Sequence, residues 1–379
     1  MIALSGARIF DGERFRDDHT VVIEAGRIAA IVPHADAPGG AVHDLGGGLI
    51  APGYIDVQIN GGGGVLFNDD PTPEGIGRIA AAHRNHGTVG LLPTLVTDAP
   101  EVMAAAIAAA REARRRTPAC LGIHLEGPFL DPKRKGAHEA KYIRELAPAD
   151  VATIAAANCG AVMLTLAPNR VGTESIAALA RHGVLVSLGH SDASYEQASA
   201  AVSAGARAFT HLYNAMSAPT GRKPGMVGAA LDLADTFVGI IADGHHVHDA
   251  NLRIAFAAKR HDRVMLITDA MPPAGGGPDE FDLQGRRVRR ADGYLRLDDG
   301  TLAGSVLTMD EAVRYAIKVA RLPLGDALAM ASRVPATFLR CETELGRIAP
   351  GYLANLVHLD DELKVLDSWI EGRPTGDNS

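Results

Sequence analysis

Polar residues recur just past short apolar runs in this chain: Gln58 and Asn60, His124 and Glu126, His190, His211, Asp243 with His245 and His246, and Asp269. Taken singly, a His or Asp at such a point more often caps a helix or bonds a loop backbone. Several of them converging on one rim would sit unpaired at high cost unless a cation bound there. Glu126, His190 and His211 supply one carboxylate and two imidazoles. That set suits Zn²⁺ or another first-row divalent ion with a position left open for water. Asp269, in Thr268-Asp269-Ala270, would be a helix cap if isolated. Beside a cation-activated water it becomes a general base, and the same group can return the proton to a leaving amine. These parts imply metal-assisted hydrolysis. His124 precedes Glu126 by two and shares its side of a strand, so it is expected to support that carboxylate.

A second group of residues concerns an anionic ligand. Thr220-Gly-Arg-Lys-Pro-Gly225 presents Arg222, whose fork suits phosphate oxygens, although a solvated turn would look the same. Lys133-Arg-Lys-Gly-Ala-His138 is a second basic loop. His138 and His246 could donate hydrogen bonds to a carbonyl or a phosphate, or be merely exposed. His83, His86, His182 and His261 fall on or near helices and are assigned to solvent.

Positioning these groups requires a scaffold whose strand ends meet. Eight short apolar runs, at 54–59, 89–95, 120–125, 161–166, 184–188, 208–212, 237–242 and 263–268, alternate with helical patterns such as 74–86, 101–116, 173–181, 194–204 and 249–259. Alternation of this kind implies a parallel sheet, and eight repeats are the number that closes a barrel, with its active site at the carboxyl ends of the strands. A doubly wound open sheet is the competitor, but no G-x-G-x-x-G follows any run. Residues 272–300 break the rhythm and read as a loop plus hairpin, and helices at 309–320 and 324–332 close the ring. Residues 1–50 carry β runs with tight turns, including a hairpin at Ala25-Gly26, and 346–379 behave alike. The expected architecture is an α/β (β/α)₈ TIM-type barrel over residues 51–345, with a small β-sandwich domain built from 1–50 and 346–379.

Composition narrows the function classes. The chain has 379 residues, 47% hydrophobic and 22% charged, with a net charge of −8. An acidic balance without a Lys/Arg stripe argues against nucleic acid. Arg114, Arg115 and Arg116 end an Ala-rich helix, where cations complement the dipole. Three scattered cysteines (Cys120, Cys159, Cys341) fit a reducing compartment rather than a disulfide framework. Charges interrupt the first fifteen residues, and the uncharged run at 102–110 is too short to span a bilayer. A cytoplasmic enzyme without membrane contact is expected.

Eight motifs, in order, carry a resemblance: Pro52-Gly-Tyr-Ile-Asp56, His124-Leu-Glu-Gly-Pro-Phe129, Lys135-Gly-Ala-His138, Leu188-Gly-His-Ser191, Thr210-His-Leu-Tyr-Asn-Ala-Met216, Ala242-Asp-Gly-His-His-Val247, Thr268-Asp-Ala270 and Leu302-Ala-Gly-Ser305. Over nearly the whole chain the sequence resembles the N-acetylglucosamine-6-phosphate deacetylases of the amidohydrolase superfamily. The resemblance implies hydrolysis of N-acetylglucosamine 6-phosphate to glucosamine 6-phosphate and acetate by a homodimer. It also implies one divalent ion per subunit on Glu126, His190 and His211, with zinc first and iron, manganese or cobalt as alternatives. Asp269 would be the acid/base, and His138 would polarise the acetyl carbonyl. Ala137, His138, Asn214, Ala215, Arg222, His246, Leu302, Ala303 and Gly304 would contact the sugar phosphate, some across a dimer interface. Some members carry His-x-His on strand one and bind two ions. Gln58-Ile59-Asn60 here argues for one, and strand four lacks the lysine that bridges two ions in dihydroorotases. The competing readings are an amidohydrolase acting on another N-acyl amino sugar or cyclic amide, and a catalytically silent metal- or sugar-binding protein. Equal kcat/KM on phosphorylated and plain sugars would favour the first; absence of acetate release with any divalent metal would favour the second.

Overall fold

A computed structural model describes residues 1–38 and 41–376. Its centre is a ring of eight parallel strands: Tyr54–Ile59, Thr88–Val96, Gly122–Glu126, Ala161–Leu166, Leu185–Leu188, Ala208–Phe209, Phe237–Ile241 and Val264–Ile267, called strands one to eight below. Each is hydrogen-bonded to the next in chain order. They read as continuous apolar runs because they are buried on both faces, by helices outside and by packed side chains inside. Strands six and eight are shorter than their apolar runs. In strand six the backbone leaves the extended region at His211 and Tyr213, with φ of 31° and 79°.

The ring closes between strands one and eight. Asp269 N–H donates to the Gln58 carbonyl, and Asn60 N–H to the Ala270 carbonyl, both at 2.9 Å. Beneath them the buried Asp56 carboxylate accepts the Thr268 hydroxyl at 2.5 Å and the Thr268 N–H at 3.2 Å. The seam therefore fixes the residue immediately before Asp269.

Both termini build the smaller β structure. A four-stranded sheet orders Arg27–Pro33, His19–Glu24, Ile2–Ser5 and Ala41–Asp44, and a six-stranded sheet sets Leu356–Leu359 beside Leu49–Pro52. Leu4, Ile9, Val21, Ile23, Ile50, Leu356 and Trp369 share one core between them. The hairpin turn falls at Ala25-Gly26, where φ is 50° and 77°.

The interruption after strand eight is a three-stranded meander, Glu280–Leu283, Arg286–Ala291 and Tyr294–Leu297, rather than a single hairpin. Its apolar side packs on Leu66, Val96, Met271 and Ala303 at the barrel mouth. Arg286 donates to the Ala137 carbonyl at 2.7 Å and pairs with Glu139 at 3.2 Å, tying the meander to the loop after strand three. The sequence pattern does not mark the short helices Pro148–Ala155, Gly225–Asp232 and Arg333–Phe338, because segments of 6 to 8 residues are too short to set up a clear 3.6-residue period. Among the described residues no helix is long and apolar enough to cross a membrane.

The helix Met309–Lys318 opens on a capping box between Thr308 and Glu311. Asp310 in its first turn is nearly buried and accepts from Thr308 (2.6 Å) and Arg314 (2.7 Å), with His86 at 3.3 Å. Burial alone would push this carboxyl up, but the bonds from His86, Thr308 and Arg314 outweigh it and hold it at about 2. A depressed acid contributes stability that is present above its unfolded pKa and lost as pH falls through the folded one. Asp310→Asn should therefore lower the urea-unfolding free energy by about 2 kcal/mol at pH 7. That deficit should shrink as the pH falls from about 4 to about 2, and a deficit independent of pH would contradict the assignment.

Candidate metal and catalytic site

Glu126 ends strand three, while His190 and His211 lie just past strands five and six. Glu126 Oε1 is 3.3 Å from His190 Nε2 and 3.1 Å from His211 Nε2, and the two imidazole nitrogens are 2.9 Å apart. Ligands at roughly 2.0–2.2 Å from one divalent ion stand about 3.0–3.5 Å from each other, so the trio has the spacing of a shared cation. His190 Nδ1 donates to the Arg134 carbonyl at 2.9 Å, which leaves the Nε2 lone pair directed at the centre. Burial pushes the Glu126 carboxyl up, yet the close approach of the His190 and His211 rings prevails and holds it well below the ordinary carboxylate range. The cluster thus keeps a buried anion facing two nitrogen donors, a fit for a divalent ion.

His138 lies close by, its Nε2 3.9 Å from Glu126 Oε2. Glu126, His138 and His190 also offer ligand atoms all within 4.8 Å of one another. His138 differs in tautomer. Its Nδ1 accepts the Thr97 N–H at 3.3 Å, so the neutral ring carries its proton on Nε2 and presents a donor to the site instead of a lone pair. Burial, then the neighbouring His190, keeps the ring well below the usual histidine range and therefore neutral.

Asp269 is held on one oxygen. Asn60 Nδ2 donates to its Oδ1 at 2.6 Å and Gln58 Nε2 at 3.2 Å, while Gln58 Nε2 also reaches Glu126 Oε1 at 2.9 Å. The Gln58 amide therefore bridges the two carboxylates. Among the described residues Oδ2 has no hydrogen-bond partner. Burial, followed by the Glu126 charge, raises the Asp269 carboxyl to about 6, which suits a group that must take and return a proton near neutrality.

His190, His211, Asp269 and Ala215 adopt left-handed backbone, with φ of 47°, 31°, 53° and 51°. Such conformations in non-glycine residues each cost on the order of 1–3 kcal/mol and concentrate where function demands them. Gly304 (φ 64°) belongs to the same set, because a Cβ there would lie 2.8 Å from the Asp269 carbonyl.

A cavity of about 370 Å³ opens above the trio, within the usual range for a small-molecule site. Of the anticipated contacts, Ala137, His138, Asn214, Ala215, His246, Leu302 and Gly304 line it, together with Glu126, His190, His211 and Asp269. Ala303 does not line it; it is fully buried and packs into the meander core. Arg222 does not line it either, and sits exposed on the loop before Gly225–Asp232. Three other expectations change. His124 turns into the barrel floor, bonding Thr165 at 2.8 Å and Thr94 at 3.3 Å rather than Glu126. His83 is fully buried and bonds the Gly61 carbonyl at 2.9 Å, and His86 packs against Asp310; neither belongs to solvent. Lys133, Arg134 and Leu283 line the cavity as well. The basic loop signalled the first two, whereas nothing local marks Leu283, which arrives from the meander.

The Amidohydrolase family model matches residues 49–377, and the NagA composite domain matches residues 1–50. An N-acetylgalactosamine-6-phosphate deacetylase from a Shewanella species is 45% identical over 329 residues, 86% of this chain and 83% of that protein. The N-acetylglucosamine-6-phosphate deacetylase of Haemophilus influenzae is 33% identical over 361 residues, 94% of each. The crystal structure of N-acetylglucosamine-6-phosphate deacetylase from Pasteurella multocida superposes with a TM-score of 0.96 at 34% identity, over 98% of this chain and 99% of that one. With a buried carboxylate and two imidazoles at the mouth of an eight-stranded barrel, and a family match over most of its length, the chain belongs to the amidohydrolase family.

Proposed function

We propose that this chain hydrolyses the acetamide of N-acetylglucosamine 6-phosphate, giving glucosamine 6-phosphate and acetate. The observation that carries the reading is the contact of Glu126, His190 and His211 beside a carboxylate with one unpartnered oxygen. We assign one divalent ion per subunit to that trio, with zinc first and iron, manganese or cobalt as alternatives. When bound, such an ion lowers the pKa of water and polarises an amide carbonyl. Asp269 Oδ2 takes a proton from the attacking water as the new C–O bond forms. His138 donates its Nε2–H to the carbonyl oxygen, where negative charge accumulates. Asp269 then delivers the proton to the amide nitrogen as the C–N bond breaks, so the water is divided between acetate and amine. Ala137, Asn214, Ala215, His246, Leu302 and Gly304 surround the sugar phosphate; Ala303 supports that strip from behind.

The Shewanella relative favours a second reading, the C4 epimer N-acetylgalactosamine 6-phosphate. The ratio of kcat/KM on the two epimers decides between them. Three unpaired cysteines, two of them buried, support a cytoplasmic setting. Arg222, exposed and not lining the cavity of its own chain, supports a homodimer in which this loop reaches the phosphate bound by the other subunit.

Asp269→Asn should retain a full equivalent of metal by elemental analysis while acetate release falls at least about a thousandfold. Retained turnover would remove Asp269 from the reaction, and lost metal would make it a ligand first. Mixing inactive Arg222→Ala with inactive Asp269→Asn subunits should recover about a quarter of wild-type turnover, since half of randomly paired dimers hold one complete site. No recovery would place Arg222 in its own subunit's site or outside the chemistry.

A further inference from the structure

His138 and His246 reach the cavity from strands three and seven, half a turn apart in an eight-strand ring, and they present opposite chemistry. His138 accepts at Nδ1 and so offers a donor. His246 donates from Nδ1 to Asp243 Oδ2 at 2.7 Å, which leaves its Nε2 as a lone pair. That Nε2 is buried, has no hydrogen-bond partner among the described residues, and belongs to a residue that lines the cavity. The pair is well enclosed, with 6% of the His246 side chain and 8% of the Asp243 side chain exposed. Asp243 is anchored in turn, because its Oδ1 accepts the N–H groups of His245 and His246 at 2.8 Å each. Burial raises this carboxyl, but the bond from His246 outweighs it, so Asp243 stays an acceptor.

We propose that Asp243 is a positioning residue for substrate recognition. It holds the ring proton of His246 on Nδ1, so that Nε2 meets the sugar as an acceptor and reads a ring hydroxyl. Phosphate and acetyl oxygens accept, and an Nε2 that carries no proton has nothing to give them. The proposed role differs from the sequence-based expectation that His246 donates to a phosphate or carbonyl. The inference rests on the cavity being an amino-sugar phosphate site.

Asp243→Asn is a pointed test. The carboxamide oxygen would keep the two backbone donors, and its NH₂ would then face Nδ1, which must become the acceptor and move the proton to Nε2. Histidine ¹⁵N spectra of the full-length zinc-loaded protein, with His246 assigned by difference from His246→Gln, should report Nδ1–H in the wild type and Nε2–H in Asp243→Asn. In acetate-release assays the variant should raise KM about tenfold while kcat stays within about threefold, and metal content should not change. Replacing the sugar's 3- or 4-hydroxyl by fluorine, which cannot donate, should cost the wild type about tenfold in kcat/KM at one position and the variant much less. An Nε2–H signal in the wild type would sink the tautomer assignment by itself. Equal losses in kcat on every analogue would reduce Asp243 to a structural residue. Absence of acetate release from any phosphorylated amino sugar would sink the functional reading, and the hydroxyl with it.

Discussion

A carboxylate buried among imidazoles survives only if its charge is answered, and the mouth of this barrel is organised around that demand. Glu126 faces His190 and His211 at hydrogen-bond distance, and Gln58 donates to it from strand one. The same Gln58 amide reaches Asp269, whose carboxyl is raised by burial and then by the Glu126 charge. A permanently ionised Glu126 and a proton-sharing Asp269 are two outcomes of one field. Their difference arises from what each can bond: Glu126 has two nitrogen partners of its own, while Asp269 is served by neutral amides.

Holding these groups requires backbone that an isolated peptide would refuse. Three strand-end residues at the centre are left-handed, and each such conformation is retained because the ring around it leaves no alternative. The seam does much of this work. Asp56 grips Thr268 by both hydroxyl and amide, Gln58 and Ala270 exchange backbone bonds with the neighbouring turn, and Gly304 passes against Asp269 without a side chain.

Much of this was legible in the residue pattern. Buried parallel strands announce themselves as apolar runs, and the polar residue that ends each run is conspicuous by contrast, so Glu126, His190, His211 and Asp269 stood out together. Tautomers were not legible. Whether His138 gives and His246 accepts depends on the Thr97 backbone and on the Asp243 carboxylate, contacts set by folding. His124 obeyed its strand alternation but found hydroxyls on strands two and four instead of the carboxylate two residues on. Arg222 and Ala303 were drawn by motif toward a cavity that neither lines, one carried outward by an exposed loop and the other inward by the meander. Periodicity speaks of faces; it is silent about which of two neighbours a face will meet.

One arrangement described for the smaller β structure bears on how the chain is made. The strand Leu49–Pro52 leads directly into the barrel, and it pairs with Leu356–Leu359 from near the chain's other end. Until some three hundred residues have left the ribosome, that early strand has one flank without its mate. The amino-terminal segment must therefore wait through synthesis of the entire barrel with an open edge, a long-range closure of the kind that slows folding and exposes chains to aggregation. Completion of the sheet by the last strands then acts as a buckle, joining beginning to end only once everything between them has been assembled.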